Sequence, residues 1–368
     1  MIVAFRADAS LAIGSGHVMR CLTVADALAA RGHTAVFVSR AGDGDRLETV
    51  LSRGHGVERL SAPLDPEGAY REGEARPAHA SWLGVHWEDD AAETRALVER
   101  TGADLLVLDH YALDARWEAR ACPDGVRRMV IDDLADRPHE ADLLLDQNLG
   151  RTDADYADLV PASCRLCVGP SFAMVAPRFA ELRPESLRRR VADPTVRKIL
   201  ISMGGVDADN ATGACLTALE ASSLPSSVEV TVVMGGRAPH LEAVRNQCAE
   251  LRLATEVVVD VTDMPERMAA ADLSLGGAGG TAWERCVVGL PTILLVLAPN
   301  QESGARALER AGAARLIAGP AELPEALAAL TPPTALAELS RRAAAVLDGD
   351  GLDRLCTAIE CLVPTRGV

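Results

Sequence analysis

The chain has 368 residues, is 48% hydrophobic and 24% charged, and carries a formal net charge of -16. That balance excludes a disordered or fibrous chain, and at roughly 150 residues per domain it predicts two domains. The acidic surplus and an aromatic content of only 3% argue against a nucleic-acid partner and against an anionic membrane surface.

The N-terminus reads Met1-Ile2-Val3-Ala4-Phe5-Arg6-Ala7-Asp8, with no basic head, so no signal peptide is expected. The longest strongly apolar run, residues 290–298, is far short of the ~20 residues a membrane span needs. Nine scattered cysteines fit reduced thiols and a cytoplasmic location, with Cys164 and Cys167 read as a buried pair.

Residues 2–5 form a short apolar strand. After a Gly-rich turn, residues 18–30 have helical spacing, with Val18, Cys21, Leu22, Ala25, Leu28 and Ala29 on one face. Gly32 is placed to end that helix in a left-handed conformation. Residues 34–39, 105–108, 129–131 and 143–145 read as further strands of a parallel sheet covered on both faces. Residues 71–95, with Trp82, His86, Trp87, Glu88 and Asp89, are expected to form a loop and helix near a cleft.

Residues 183–194 are polar, charged and hold prolines near both ends, the features of a linker. A second series follows, with strands at 199–203, 228–234, 256–259, 273–275 and 293–297 and helices at 211–221 and 281–288. The expectation is an α/β fold of two Rossmann-like domains, 1–182 and 197–368, joined by a linker at 183–196.

Glycines stand between strand and helix at Gly14-Ser15-Gly16-His17, Gly204-Gly205, Gly235-Gly236 and Gly276-Gly277-Ala278-Gly279-Gly280-Thr281. Such loops let backbone N–H groups approach phosphate oxygens, at the carboxyl ends of strands where α/β proteins bind ligands. The first loop lacks the third glycine of a dinucleotide fingerprint, because Met19 occupies that place. In the last loop five small residues precede Thr281, and Glu284 follows one turn later. A carboxylate there can accept both ribose hydroxyls while the loop holds a diphosphate.

His17 begins a helix, where the local field keeps imidazole neutral and able to accept a proton. Asp109-His110-Tyr111 ends the strand at 105–108, either as a catalytic edge or as a capped turn. Asp132-Asp133 ends the next strand, and paired carboxylates there could bind a metal or do acid–base work; no further acidic cluster completes a metal site, so neither a metal nor a cofactor is expected. His33, His55, His79 and His240 lie in turns or polar stretches and are read as surface residues.

Phe5-Arg6-Ala7-Asp8 and Ile13-Gly14-Ser15-Gly16-His17-Val18-Met19-Arg20-Cys21 resemble the start of the UDP-2,4-diacetamido-2,4,6-trideoxy-β-L-altropyranose hydrolases of pseudaminic acid biosynthesis. Further segments match in order: Trp82-Leu83-Gly84-Val85, Asp109-His110-Tyr111, Ile131-Asp132-Asp133, Asp142-Leu143-Leu144-Leu145-Asp146-Gln147-Asn148, Met203-Gly204-Gly205-Val206-Asp207, Gly279-Gly280-Thr281-Ala282-Trp283-Glu284 and Asn300-Gln301. The C-terminal part is also similar to the glycosyltransferases that make the peptidoglycan lipid precursor.

The resemblance implies a glycosyltransferase-B-like fold, two Rossmann-like domains facing a cleft, with UDP held by the second. It implies His17 as general base and Tyr111 as its active-site partner, with Asp109 beside them. Gly14, Gly16, Gly205, Asn210, Gly279, Gly280, Thr281, Glu284, Asn300 and Gln301 fall at positions facing the UDP-sugar. One departure stands out: Ala176 occupies the place of the family's usual arginine. The implied reaction is metal-independent hydrolysis of a UDP-sugar with inversion. The alternative is an inverting glycosyltransferase using the same UDP site.

Overall fold

A computed structural model describes residues 1–62 and 74–363. Its contacts divide the chain into two compact units. The first holds Met1–Met174 together with the segment from Gly351 onward, and the second holds Val175–Asp350.

In the first unit the order is β1 (Ile2–Ala7), α1 (Gly16–Ala30), β2 (Thr34–Arg40), α2 (Leu47–Ser52), β3 (Gly56–Leu60), α3 (Trp87–Thr101), β4 (Leu105–Asp109), α4 (Ala115–Ala121), β5 (Arg127–Ile131), β6 (Leu143–Asp146) and β7 (Arg165–Val168). In the second unit it is α5 (Pro177–Ala192), β8 (Lys198–Ser202), α6 (Ala211–Glu220), β9 (Glu229–Met234), α7 (Leu241–Glu250), β10 (Ala254–Val259), α8 (Met264–Ala270), β11 (Leu273–Gly277), α9 (Thr281–Val287), β12 (Thr292–Leu295), α10 (Glu302–Arg310), β13 (Arg315–Leu316), α11 (Leu323–Leu330) and α12 (Pro333–Ala344). The last helix, α13 (Gly351–Leu362), returns to the first unit.

Both sheets are parallel throughout. The first has the order β3-β2-β1-β4-β5-β6-β7 and the second β10-β9-β8-β11-β12-β13. Each therefore follows the doubly wound order, and the two-Rossmann α/β expectation holds. Strand order reverses between β1 and β4 in one sheet and between β8 and β11 in the other, and ligands bind such sheets outside those carboxyl ends.

Strand alternation sorts the first core onto two faces. Val3, Phe5 and Ala7 of β1 join α1 and the Leu352, Leu355 and Ile359 face of α13. Ala4 points the other way, into the cluster with Val98 of α3 and Trp117 of α4. Gly32 ends α1 at φ +85°, the left-handed geometry its position predicts.

The boundaries differ from the expected 1–182, 183–196 and 197–368. Most of the presumed linker is the second half of α5, which packs within the second unit. Its arginines made it look solvated, yet they stop helix ends: Arg190 is buried and donates to the carbonyls of Met268, Ala271 and Val288. Arg189 donates to Ala269 and Ala271 and pairs with Asp272 at 2.5 Å. The strands β3, β7 and β13 are short or polar at the sheet edges and carry little apolar signal. Of the expected loop and helix at 71–95, residues 71–73 lie outside the described residues, and the helix is α3, beginning at Trp87. Cys167 is buried as expected, whereas Cys164 is only half-buried.

One buried charge cluster ties β1, β2, α3 and α4 together. Asp90 is fully buried and accepts from Arg6 at 3.2 and 2.8 Å, Arg40 at 2.8 Å and Trp117 Nε1 at 2.9 Å. Removing one partner of a buried pair strands the others in a low dielectric. Asp90→Ala should therefore destabilise the first unit by about 3–5 kcal/mol, read from denaturant unfolding. A loss below about 1 kcal/mol, the range of an exposed pair, would contradict this role.

Candidate functional site

In the first unit the carboxyl ends of β1 and β4 and the start of α1 converge. Gly14 adopts φ +79° in the turn before α1, and a side chain built on Gly14 or Gly16 would meet open space. The turn sets His17 in the first turn of α1 at 7% exposure. Its Nδ1 lies 2.6 Å from Asp109 Oδ1, at the end of β4. Arg20, one turn on, donates to the same carboxylate with Nε at 2.6 Å and Nη2 at 2.7 Å. Burial alone would push the Asp109 carboxyl up, but Arg20 and His17 outweigh it and hold it well below the usual carboxylate range. An ionised Asp109 can only accept, so His17 Nδ1 must carry the hydrogen. In the neutral ring the lone pair is then on Nε2.

The far side of Arg20 reaches Asp133 at 2.5 Å, and the Tyr111 hydroxyl donates to that same Asp133 oxygen. Burial, then the Asp133 charge, push the Tyr111 hydroxyl well above its ordinary value, so it stays protonated. Its ring meets His17 edge-on with centroids 4.5 Å apart. Trp82 stacks against Tyr111 at 5.8 Å, and His79 packs on both, at 4.4 and 5.4 Å. The structure thus places His17, Asp109 and Tyr111 together.

Sequence reasoning missed Arg20 and His79 as site residues and read Asp133 only as half of a carboxylate pair for metal binding or acid–base work. The three-residue spacing of His17 and Arg20 was the available signal, since it puts both on one face of α1. His79, read as a surface residue, is half-buried in the aromatic group. His55 is buried too, its Nε2 2.7 Å from Asp26. Asp8 is spoken for: Arg6 Nη1 lies at 2.7 Å, the Arg40 amide at 2.8 Å and His110 Nε2 at 3.4 Å.

In the second unit the corresponding edge is built from backbone. Gly204, Asp207 and Asn210 have φ of +96°, +46° and +56°, an unusual concentration of left-handed residues in one loop. Asp207 accepts from the amides of Ala211 and Thr212 at 2.9 and 3.0 Å, and Asn210 from Gly213 at 3.1 Å. Those side chains satisfy the start of α6. A Cβ on Gly235 would collide with the Gly205 carbonyl, so only glycine allows these two loops to meet.

The loop after β11 is different, because a Cβ on Gly280 would meet nothing within 4 Å and one on Gly279 only Gln301. Gln301 Oε1 accepts from Ala278 at 3.3 Å and from Leu297 at 3.1 Å, joining this loop to the one after β12. Asn300 is exposed beside it. Thr281 begins α9, and Glu284 lies half-buried one turn later, its carboxyl pushed up by burial to about 7.

Residues 200–346 match the glycosyltransferase family 28 C-terminal domain. The chain is 24% identical to the UDP-2,4-diacetamido-2,4,6-trideoxy-beta-L-altropyranose hydrolase of Campylobacter jejuni, over 85% of this chain and 97% of that protein. The resemblance seen in the motifs thus extends over most of both chains. It is 28% identical to the UDP-N-acetylglucosamine--N-acetylmuramyl-(pentapeptide) pyrophosphoryl-undecaprenol N-acetylglucosamine transferase of Clavibacter michiganensis, over 96% of this chain and 95% of that one. The crystal structure of Acinetobacter baumannii MurG superimposes with a TM-score of 0.68 at 16% identity, covering 98% of this chain and 99% of that one. The chain has the GT-B type of fold. Among the described residues no helix is long and apolar enough to cross a membrane.

Glu284 carries a measurable cost to folding. Its folded value lies above the unfolded one, so the native state holds the proton more tightly between about pH 4.5 and 7, and stability falls as pH rises through that window. Glu284→Gln should leave stability unchanged at pH 4 and raise it at pH 8 by about 3 kcal/mol. Thermal unfolding at both pH values tests this; an equal effect at both would contradict it.

Proposed function

We propose that this chain hydrolyses a UDP-sugar at C1, without a metal ion, using His17 as general base. A UDP-diacetamido-trideoxyhexose is the proposed substrate. Support comes above all from the 2.6 Å contact of His17 Nδ1 with Asp109, which fixes the ring and leaves Nε2 to take a proton. The likeness to the Campylobacter jejuni hydrolase, near full length on both sides, points the same way.

The chemistry follows from these groups. UDP is a good leaving group and departs with the electron pair of the C1–O bond, so no strong acid is required. His17 Nε2 removes a proton from water as its oxygen attacks C1 from the opposite face, which inverts the anomeric centre. The imidazolium that forms is stabilised by Asp109, which Arg20 keeps ionised. Tyr111 stays protonated and holds the ring edge-on, and so serves His17 rather than replacing it. The second unit takes UDP: the open amides around Gly279 and Gly280 face the diphosphate, and Glu284 accepts from the ribose hydroxyls.

Transfer to an acceptor hydroxyl is the second reading. It is favoured by the family 28 match over residues 200–346 and by the full-length likeness to the Clavibacter michiganensis transferase. The two separate in one assay. A hydrolase releases UDP from a panel of UDP-sugars with no acceptor present, whereas a transferase turns over only when acceptor is added.

General-base catalysis typically contributes 10²–10⁴-fold, so His17→Asn should lower turnover by roughly that factor. Its affinity for UDP should stay within about twofold of wild type, since UDP is assigned to the other unit. Near-normal turnover, or a parallel loss of UDP binding, would overturn the assignment.

A further inference from the structure

We propose that Arg285 is the buried cation of the nucleotide site, a positioning residue beneath the loop after β11 that makes the site select a nucleoside diphosphate over the bare nucleoside. This rests on the assignment of UDP to the second unit and adds a residue that the sequence motifs do not single out.

Arg285 lies on α9 and is 1% exposed. Its Nη2 donates to the Gly277 carbonyl, yet Nε and Nη1 have no hydrogen-bond partner among the described residues. The guanidinium occupies the space a side chain on Gly276 would fill: a Cβ there would collide with Nη1 and lie 2.9 Å from the Ser202 carbonyl. Gly276 and Ser202 are register partners on β11 and β8. The cation therefore sits where strand order reverses, against Gly276 and Gly277 at the end of β11, from which the loop of residues 278–280 leads.

A buried guanidinium with two idle nitrogens is costly unless an opposite charge answers it. The carboxylate nearest in sequence is Glu284, and burial pushes its carboxyl up to about 7, so near neutrality it cancels only part of the charge. The loop above has open backbone and no acidic side chain of its own. A diphosphate bound to those amides would supply the missing negative charge through the loop, without touching Arg285. A purely structural arginine, present only to hold the Gly277 carbonyl, would treat charged and uncharged ligands alike.

Arg285→Gln keeps a donor for Gly277 and removes the charge; Arg285→Lys keeps the charge. Titration calorimetry at pH 7, where Glu284 is only partly ionised, with UDP and with uridine separates the possibilities. Arg285→Gln should weaken UDP about tenfold, as expected of one unit charge acting over several ångströms in a partly buried site, and uridine less than about twofold. Arg285→Lys should keep the UDP-to-uridine ratio within about threefold of wild type. Equal losses for both ligands, an unchanged UDP affinity in Arg285→Gln, or a collapsed ratio in Arg285→Lys would overturn the proposal. If Arg285→Gln does not fold, the lysine variant decides by its ratio. Wild-type protein that binds neither ligand would instead remove the nucleotide assignment itself, a result distinguishable from the failures of Arg285.

Discussion

The Asp109 carboxylate accepts from His17 and Arg20 at once, and the arrangement of the first unit's site follows from that sharing. A lone buried carboxylate would tend to take up a proton, and a protonated Asp109 could not dictate which imidazole nitrogen carries the hydrogen. Arg20 prevents this and extends the chain of contacts to Asp133, which in turn engages the Tyr111 hydroxyl. The backbone makes the sharing possible. Asp109 is the last residue of β4, and His17 and Arg20 are one helical turn apart on α1, the helix that follows β1, so strand pairing and helix pitch together bring the three groups to one edge.

The same topology is used twice, with different chemistry at each reversal of strand order. In the first unit that edge is furnished with side chains: imidazole, carboxylates, guanidinium and three aromatic rings including His79. In the second it is furnished with main chain, opened by Gly279 and Gly280 and held by Gln301. The residues that can move protons are thus concentrated in one unit and the backbone suited to anions in the other. Two groups sit where their charge is poorly solvated: the half-buried Glu284, whose carboxyl is pushed up to about 7, and the buried Arg285, whose guanidinium is only partly hydrogen-bonded among the described residues. Such placements are characteristic of functional positions.

Much of this was legible from residue order. β1, β4, β5 and β8 each contain a short continuous apolar run, at residues 2–5, 105–108, 129–131 and 199–201, and Gly32 marks the end of α1 as its conformation requires. The glycine-rich loops stand between a strand and the next helix and His17 opens α1, which is the position of ligand loops in a doubly wound sheet. What escaped notice depends on long-range partners. The helix α5 reads as a linker because its polar residues make no local pattern, and only the carbonyls of α8 and α9 explain its arginines. The return of α13 to the first unit is invisible locally, since its apolar face is matched by α1 more than 300 residues earlier. Arg20 and Asp133 gain meaning only from each other, 113 residues apart. His79 looked like a surface residue because its partners, Trp82 and Tyr111, come from two different segments.

In the proposed reaction water attacks C1 of a UDP-sugar while UDP leaves intact. Turnover of a UDP-diacetamido-trideoxyhexose in ¹⁸O-labelled water, without any acceptor, tests it most directly, with the products analysed by mass spectrometry and the first-formed anomer by NMR. Label in the sugar's C1 hydroxyl and initial release of the inverted anomer are the predicted result. Label in the terminal phosphate of UDP, the retained anomer, or no UDP release until an acceptor is supplied would contradict the account.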